Sequence, residues 1–122
     1  MKLNSTEPIF IQIAKYFEDQ IVQGFLEEET QIPSTTVMAK TYAINPATIL
    51  KGMNILVDKH IIYKKRGLGM FVSTGAKNII EAERREMFKT NVIRTLMEEA
   101  SKLGISKQEI VEQILNWESD NK

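Results

Sequence analysis

The chain has 122 residues, of which 43% are hydrophobic and 26% charged, and its formal net charge is zero, as is ordinary for a single soluble domain with a short appendage. It contains no cysteine and a single histidine, His60, which excludes disulfides and thiolate metal sites and leaves little for acid–base catalysis, so no enzyme, metal or cofactor is expected. No apolar run approaches the roughly twenty residues of a membrane span and the first residues lack a secretory signal, so we expect a cytoplasmic protein.

The first predicted helix is an amphipathic segment that starts near Ser5 or Thr6, with Pro8 in its first turn and Gly24 at its end. Its apolar side chains recur at helical spacing and form one stripe: Phe10, Ile13, Ala14, Phe17 and Ile21. The acidic residues 27–29 that follow are interpreted as a solvated turn, because no further metal-ligating residues converge on them.

Two short helices follow, each with a clear start signal. Pro33 breaks the preceding chain, and the Ser34 hydroxyl can accept from the free N–H groups of the first turn of the second helix. Asn45 is a good N-cap and Pro46 suits the first position of the third helix, which should run to about Asp58. A tight connection between the two predicts a helix-turn-helix.

The third helix has two different faces when it is projected at 100° per residue. Ile49, Met53 and Leu56 form the inward face. The outward face is small, polar and basic, as a helix that reads base edges in the major groove requires, although an ordinary solvated face is the alternative. This outward face consists of Ala47, Thr48, Lys51 and Asn54. Gly52 is expected to mark close packing against the second helix.

A β-hairpin is predicted after His60, which occupies the bend that follows the third helix. One strand spans residues 61–63, Gly67-Leu68-Gly69 forms the tip and residues 70–72 return. Three basic side chains lead into the tip, so the hairpin suits a wing that lies along phosphates or enters the minor groove. They are Lys64, Lys65 and Arg66.

The positive charge of the chain is concentrated on this helix-turn-helix and hairpin. Residues 31–75 carry six basic side chains against one acidic, whereas residues 1–30 carry two against six. The remainder is nearly balanced, with eight basic and nine acidic side chains. A local charge of +5 is the electrostatic footprint expected of a nucleic-acid surface, and an uneven charge on a solvated surface is the alternative interpretation.

Several short motifs stand in an order and spacing that resemble the winged helix-turn-helix domain of the GntR family of bacterial transcription regulators. The resemblance covers residues 8–73, and 44–48 resembles the YtrA subfamily, whose members join this domain to a short helical tail. The motifs are Pro8-Ile9-Phe10-Ile11-Gln12-Ile13, Gly24-Phe25-Leu26, Ile32-Pro33-Ser34, Ala39, Thr48-Ile49 and Arg66-Gly67-Leu68-Gly69-Met70-Phe71-Val72.

The resemblance implies DNA-binding residues in three places: the start of the second helix, the start and outer face of the third, and the wing. By position these are Ser34, Thr35, Thr36, Asn45, Ala47, Thr48, Lys51, Asn54, Lys64, Lys65, Arg66, Gly67 and Gly69. The chain departs from the family pattern at Thr36 and Pro46, where arginines often stand. Because threonine cannot make the two hydrogen bonds that arginine makes to guanine, the operator preference or the affinity should differ.

The remaining residues predict a helical tail. A long helix should run from about Asn78 to a C-cap at Gly104, and Ser106 and Glu109 form a capping box for a last helix that includes Trp117. Two helices are too few to bury their own apolar stripes, so the tail should pack on the first domain or on a second chain. The residues assigned to dimerisation are Met87, Phe88, Leu96, Ile110, Ile114 and Trp117.

The expected architecture is mainly α with a small β-hairpin wing: a winged helix-turn-helix domain over residues 1–75 and a dimerisation tail over 76–122. The expected function is a dimeric DNA-binding regulator, a repressor of a palindromic operator that by resemblance often controls transporter genes. A winged-helix module that binds protein instead of DNA is the alternative. A small-molecule effector between tail and winged domain, or at the dimer seam, is left open.

Overall fold

The computed structural model describes residues 1–118, and they form a mostly helical chain with one antiparallel hairpin, as expected. Contacts divide the chain into two compact units, Met1–Ala82 and Glu83–Lys122. The elements are α1 (Ile9–Val22), α2 (Thr35–Tyr42), α3 (Pro46–Asp58), β1 (Ile62–Lys65), β2 (Gly69–Val72), α4 (Ala76–Met87), a π-helical segment (Phe88–Ile93), α5 (Arg94–Lys102) and α6 (Lys107–Leu115).

The core of the first unit lies between α1, α3 and the hairpin. Phe17 of α1 packs there with Met53 and Leu56 of α3, and all three are essentially inaccessible to solvent. Burying each such side chain contributes about 1.5–3 kcal/mol. Ala76 and Ile80 join the same core. The first turns of α4 therefore belong to the first unit, which the contacts extend to Ala82.

The start of α1 differs from the expectation. The helix begins at Ile9, not at Ser5 or Thr6. The Asn4 side chain instead accepts hydrogen bonds from the N–H and hydroxyl of Thr6. The buried Gln12 amide bonds to both the N–H and the carbonyl of Asn4, each at 2.9 Å. These contacts hold residues 4–7 as a loop, so they cannot form a first helical turn.

The start signals of α2 and α3 are confirmed. The Ser34 hydroxyl accepts from the Val37 N–H at 3.1 Å, and the Asn45 side chain accepts from the Ala47 N–H at 2.8 Å. Ala43, in the connection, has a left-handed backbone with φ of 53°. Each cap satisfies an N–H that has no partner inside its helix, which is why the local sequence sets these boundaries.

The hairpin has a third backbone neighbour that the sequence did not indicate. Tyr63 pairs with Phe71 across the two strands. On its other side β2 meets residues 29–32, where the Ile32 N–H donates to the Met70 carbonyl and the Val72 N–H to the carbonyl of residue 30. The wing is thus anchored to the segment that immediately precedes α2.

The second unit contains a helix that passes through a π-helical segment into α5, and then α6. The Thr90 hydroxyl, inside the π-helical segment, donates to the Glu86 carbonyl at 3.1 Å. The predicted capping box of Ser106 and Glu109 is confirmed. Trp117, which the sequence pattern places on the last helix, lies beyond its end.

No helix among residues 1–118 combines the length and apolar character needed to cross a membrane. The same residues contain no cluster of three or more histidine, cysteine, aspartate or glutamate side chains that could hold a metal ion.

Candidate nucleic-acid interface

The third helix separates its faces as the projection predicted. Ile49, Met53 and Leu56 point into the core. The opposite side carries the small, polar and basic side chains that the sequence predicts to read DNA, which we call the candidate recognition face; Thr48 is half-buried and the others are exposed. These are Ala47, Thr48, Lys51 and Asn54. A buried apolar face thus fixes the orientation of a helix whose other face is open to solvent.

Gly52 packs against α1, not against α2 as expected. A Cβ atom at this position would lie 2.8 Å from the Phe10 carbonyl oxygen and 3.0 Å from Ile13 Cβ. Glycine therefore permits a close crossing of α1 and α3. The crossing also places the Lys51 ammonium 4.0 Å from the centre of the Phe10 ring, a cation–π contact that holds this lysine at the α1 edge of the candidate recognition face.

The three predicted residues at the start of α2 do not point the same way. Ser34 and Thr36 are exposed. Thr35 is half-buried, and its hydroxyl donates to the Met53 sulfur at 3.6 Å, which turns it towards the core. The exposed hydroxyls at the start of α2 are therefore those of Ser34 and Thr36.

The wing presents its basic residues on an exposed hairpin. Lys64 and Arg66 are exposed, and Lys65 lies with its ammonium 4.9 Å from the centre of the Phe71 ring. Gly67 and Gly69 both have positive φ, at 79° and 123°, which glycine adopts without strain. All five predicted wing residues are thus brought together on one hairpin.

Gln31 supports the wing tip and was not predicted from the sequence. Its side-chain amide donates to the Leu68 carbonyl at 2.6 Å. It also fills the space beside Gly69, where a Cβ atom would lie 2.7 Å from Gln31 Nε2. No local signal could have identified this contact, because 37 residues separate Gln31 from Leu68.

The local charge of +5 is not equally available on the surface. The Lys59 ammonium lies 3.4 Å from the buried carboxylate of Glu18. One of the six positive charges is therefore paired with an acidic side chain of the first unit. Lys40, Lys64 and Arg66 are exposed and have no carboxylate partner among residues 1–118. The positively charged side chains that remain open to a polyanion therefore include those on α2 and on the wing.

Glu29 is part of the acidic turn, but its carboxylate is not simply solvated. It accepts from the Tyr63 hydroxyl at 2.5 Å and from the Thr74 hydroxyl and N–H at 2.6 and 3.0 Å. The bonds from Thr74 and then Tyr63 lower the pKa of Glu29, and the bond to Glu29 raises the pKa of Tyr63. These partners lie 34 and 45 residues away in sequence, beyond the range of local patterns.

The predicted dimerisation residues fall into two groups. Four of the six line one apolar groove of about 630 Å³ in the second unit. They are Leu96, Ile110, Ile114 and Trp117. Met87 and Phe88 lie at the junction of α4 and the π-helical segment, and both are exposed. Ile110 is buried within its own chain, whereas Ile114 and Trp117 are 62% and 73% exposed.

The chain is similar over nearly its whole length to known regulators, although no protein-family model matches it. It is 27% identical over 113 residues to an HTH-type transcriptional regulator, YhcF of Bacillus subtilis, covering 93% of this chain and 92% of the relative. The HTH-type transcriptional repressor YtrA of the same organism is 26% identical over 118 residues, covering 97% and 90%. A solved GntR-family regulator of Bacteroides thetaiotaomicron is 36% identical, with a TM-score of 0.74 over 88% of this chain and 93% of that one.

Proposed function

The chain belongs to the GntR family and is YtrA-like within it, a DNA-binding transcription regulator and not an enzyme, and we propose that it binds a palindromic operator as a homodimer and represses transcription. The observation that carries this proposal is that one buried core holds both α3, with its polar and basic outward face, and the exposed basic wing. One helix fits the major groove, and a basic hairpin can follow the neighbouring backbone or enter the minor groove.

Three surfaces are proposed to contact DNA, and each makes a different contribution to affinity or sequence selection. The exposed wing cations supply affinity through phosphates, which releases counterions and makes binding depend on salt. Thr48, Lys51 and Asn54 read base edges in the major groove. The exposed hydroxyls of Ser34 and Thr36 meet the backbone or nearby bases, and the single hydrogen bond of a threonine gives weaker guanine selection than an arginine would.

The apolar groove supports the proposed homodimer. Soluble monomers rarely leave a contiguous apolar surface of this kind open, and such surfaces mark interaction sites. Two linked winged modules bind paired half-sites far more tightly than one. A dimer would place the half-sites about one helical turn, or a multiple of it, apart.

The proposal extends to regulation in the cytoplasm, with transporter genes as targets by resemblance to the YtrA-like subfamily. A groove of about 630 Å³ has the volume of a small-molecule site. An effector seated in it would act on the same surface as the partner chain and would thereby bias the dimer.

The salt dependence of DNA binding tests the role of the wing. Replacing Lys65 and Arg66 together by alanine should weaken binding to every duplex and reduce the slope of log affinity against log salt by about 1 for each phosphate that is no longer neutralised. The matched control removes two cations from the tail, at Lys102 and Lys107, and should leave the slope unchanged. A wing variant with the wild-type slope would place the wing away from DNA.

Two further measurements separate the remaining alternatives. Selection of bound sequences from random duplex DNA should return two inverted half-sites at fixed spacing, and light scattering should give the mass of two chains. Wild-type protein that binds no duplex even at low salt would instead favour a winged-helix module that binds protein. A compact monomer at micromolar concentration would contradict the dimer.

A further inference from the structure

Glu29 has an unusual backbone for its residue type. Its φ is +65°, and among residues 1–118 only Ala43 and His60 are other non-glycine residues with positive φ. Ala43 directly follows α2, and His60 lies two residues after the end of α3. A left-handed residue is common at such helix ends. Glu29 follows no helix and instead lies at the third position of the turn that the Thr30 N–H closes on the Glu27 carbonyl, where glycine adopts a positive φ without strain and other residues adopt it at a cost.

The contacts of Glu29 join three separate segments of the first unit. Its N–H donates to the Val72 carbonyl of β2 at 2.7 Å. One carboxylate oxygen accepts from Tyr63 of β1, and the other accepts twice from Thr74 in the turn before α4. One residue thus ties the chain before α2 to the wing and to the turn that leaves it.

A further chain of contacts runs from Glu29 to a wing cation. Tyr63 stacks on Phe71, with ring centres 6.0 Å apart and planes at 26°. The Lys65 ammonium lies 4.9 Å from the centre of the same Phe71 ring. Glu29 fixes the orientation of Tyr63 by a hydrogen bond, and Tyr63 packs on the Phe71 ring that Lys65 contacts. The position of Lys65 therefore depends on Glu29 through these two rings.

We propose that Glu29 is a positioning residue for DNA binding: its carboxylate holds β1 and the turn before α4 in one geometry and thereby sets Lys65 on the wing. The proposal rests on the proposed function. The proposal predicts a change in DNA affinity opposite to the one that charge alone would cause, because a carboxylate near the wing repels phosphates. If Glu29 were a bystander, removing its charge would tighten DNA binding; if it positions the wing, removal weakens binding.

The test compares Glu29→Gln with Glu28→Gln on one operator duplex at one salt concentration. Both variants remove one negative charge from the same turn, but Glu28 is exposed and its side chain makes no hydrogen bond within residues 1–118. Glutamine keeps the size of the side chain but replaces one carboxylate oxygen by an amide NH2, so it loses the charge-assisted hydrogen bonds that the carboxylate accepts from Tyr63 and Thr74. We expect Glu29→Gln to weaken binding roughly 3- to 10-fold, and Glu28→Gln to leave it unchanged or tighten it.

A second variant tests the same hydrogen bond without changing charge. Tyr63→Phe keeps the ring that stacks on Phe71 and removes only the hydroxyl that donates to Glu29, so it should weaken binding in the same direction. The double variant should bind little more weakly than Glu29→Gln alone, because Glu29→Gln already removes the charged acceptor of the Tyr63 hydroxyl. If Glu29→Gln proved too unstable to assay, Tyr63→Phe would decide the proposal alone.

A spectroscopic readout reports this hydrogen bond directly. Absorbance titration of the three tyrosines should show one phenol ionising nearer its ordinary pKa in Glu29→Gln than in wild type. Wild-type protein that binds no DNA would overturn the proposed function. Wild type that binds while Glu29→Gln binds equally or more tightly would overturn the positioning role alone.

Discussion

The two units of the chain use their apolar side chains in opposite ways. In the first unit Phe17 is 1% exposed, and large apolar residues from α1, α3 and the hairpin surround it. In the described part of the second unit only Ala100 and Ile110 are buried, while Leu103 and Leu115 are 73% and 76% exposed. The first unit therefore contains the core that stabilises it, whereas the second exposes the kind of surface that a partner covers.

Truncating the core of the first unit should give the largest effect. Phe17→Ala removes a fully buried ring and should lower the free energy of unfolding by about 3–5 kcal/mol. Phe25→Ala is the matched control, because Phe25 lies in the same unit and is 71% exposed. Its change should stay within about 0.5 kcal/mol. Urea unfolding measures both, and equal decreases would contradict the burial contrast.

A charge in the groove of the second unit should change assembly more than folding. Ile114→Lys should yield monomers at micromolar concentration and weaken binding to a paired-site operator by about 10²-fold or more, because a monomer has no linked second binding event. Glu112→Lys introduces the same side chain on α6 outside the groove lining and is the control. Sedimentation and mobility shift measure the two effects. A dimeric Ile114→Lys protein would place the seam elsewhere.

The smallest expected effect is a loss of wing stability in acid, where the Glu29 carboxylate becomes protonated. The folded state lowers the pKa of this carboxyl below its ordinary 4.5, so its contribution is complete above pH 4.5 and is lost as pH falls through the folded value. The Tyr63 pKa is raised above 10.0, so its share is complete below pH 10 and is lost at higher pH. Acid unfolding followed by wing amide resonances should differ between wild type and Glu29→Gln. Coincident profiles would contradict this assignment.

The helix starts show how far local sequence determines the fold. Ser34 and Asn45 are correct as predicted caps because each satisfies an N–H group two or three residues away. The same logic fails at Ser5 and Thr6, where the buried Gln12 draws the chain into a loop. A cap signal predicts a helix only when no tertiary contact competes for the same backbone.

The candidate interface divides in the same way. The candidate recognition face of α3 follows from helical periodicity, and the basic hairpin follows from its alternation and glycines. That Thr35 turns inward to Met53 and that Gly52 packs on α1 depends on neighbours outside each helix. Which of these side chains meet DNA stays a prediction, as do the seam residues of the tail.

By itself the sequence determined the helices with strong caps, the hairpin and the +5 segment, since each depends on residues close along the chain. The order and spacing of its short motifs gave the family resemblance. Only the tertiary structure decided that Glu29 holds the wing and that Gln31 supports its tip. It also decided which apolar residues of the tail surround one groove. The reason is distance along the chain: these contacts join residues 34 to 45 positions apart in the first unit, and no local periodicity or propensity encodes such pairings.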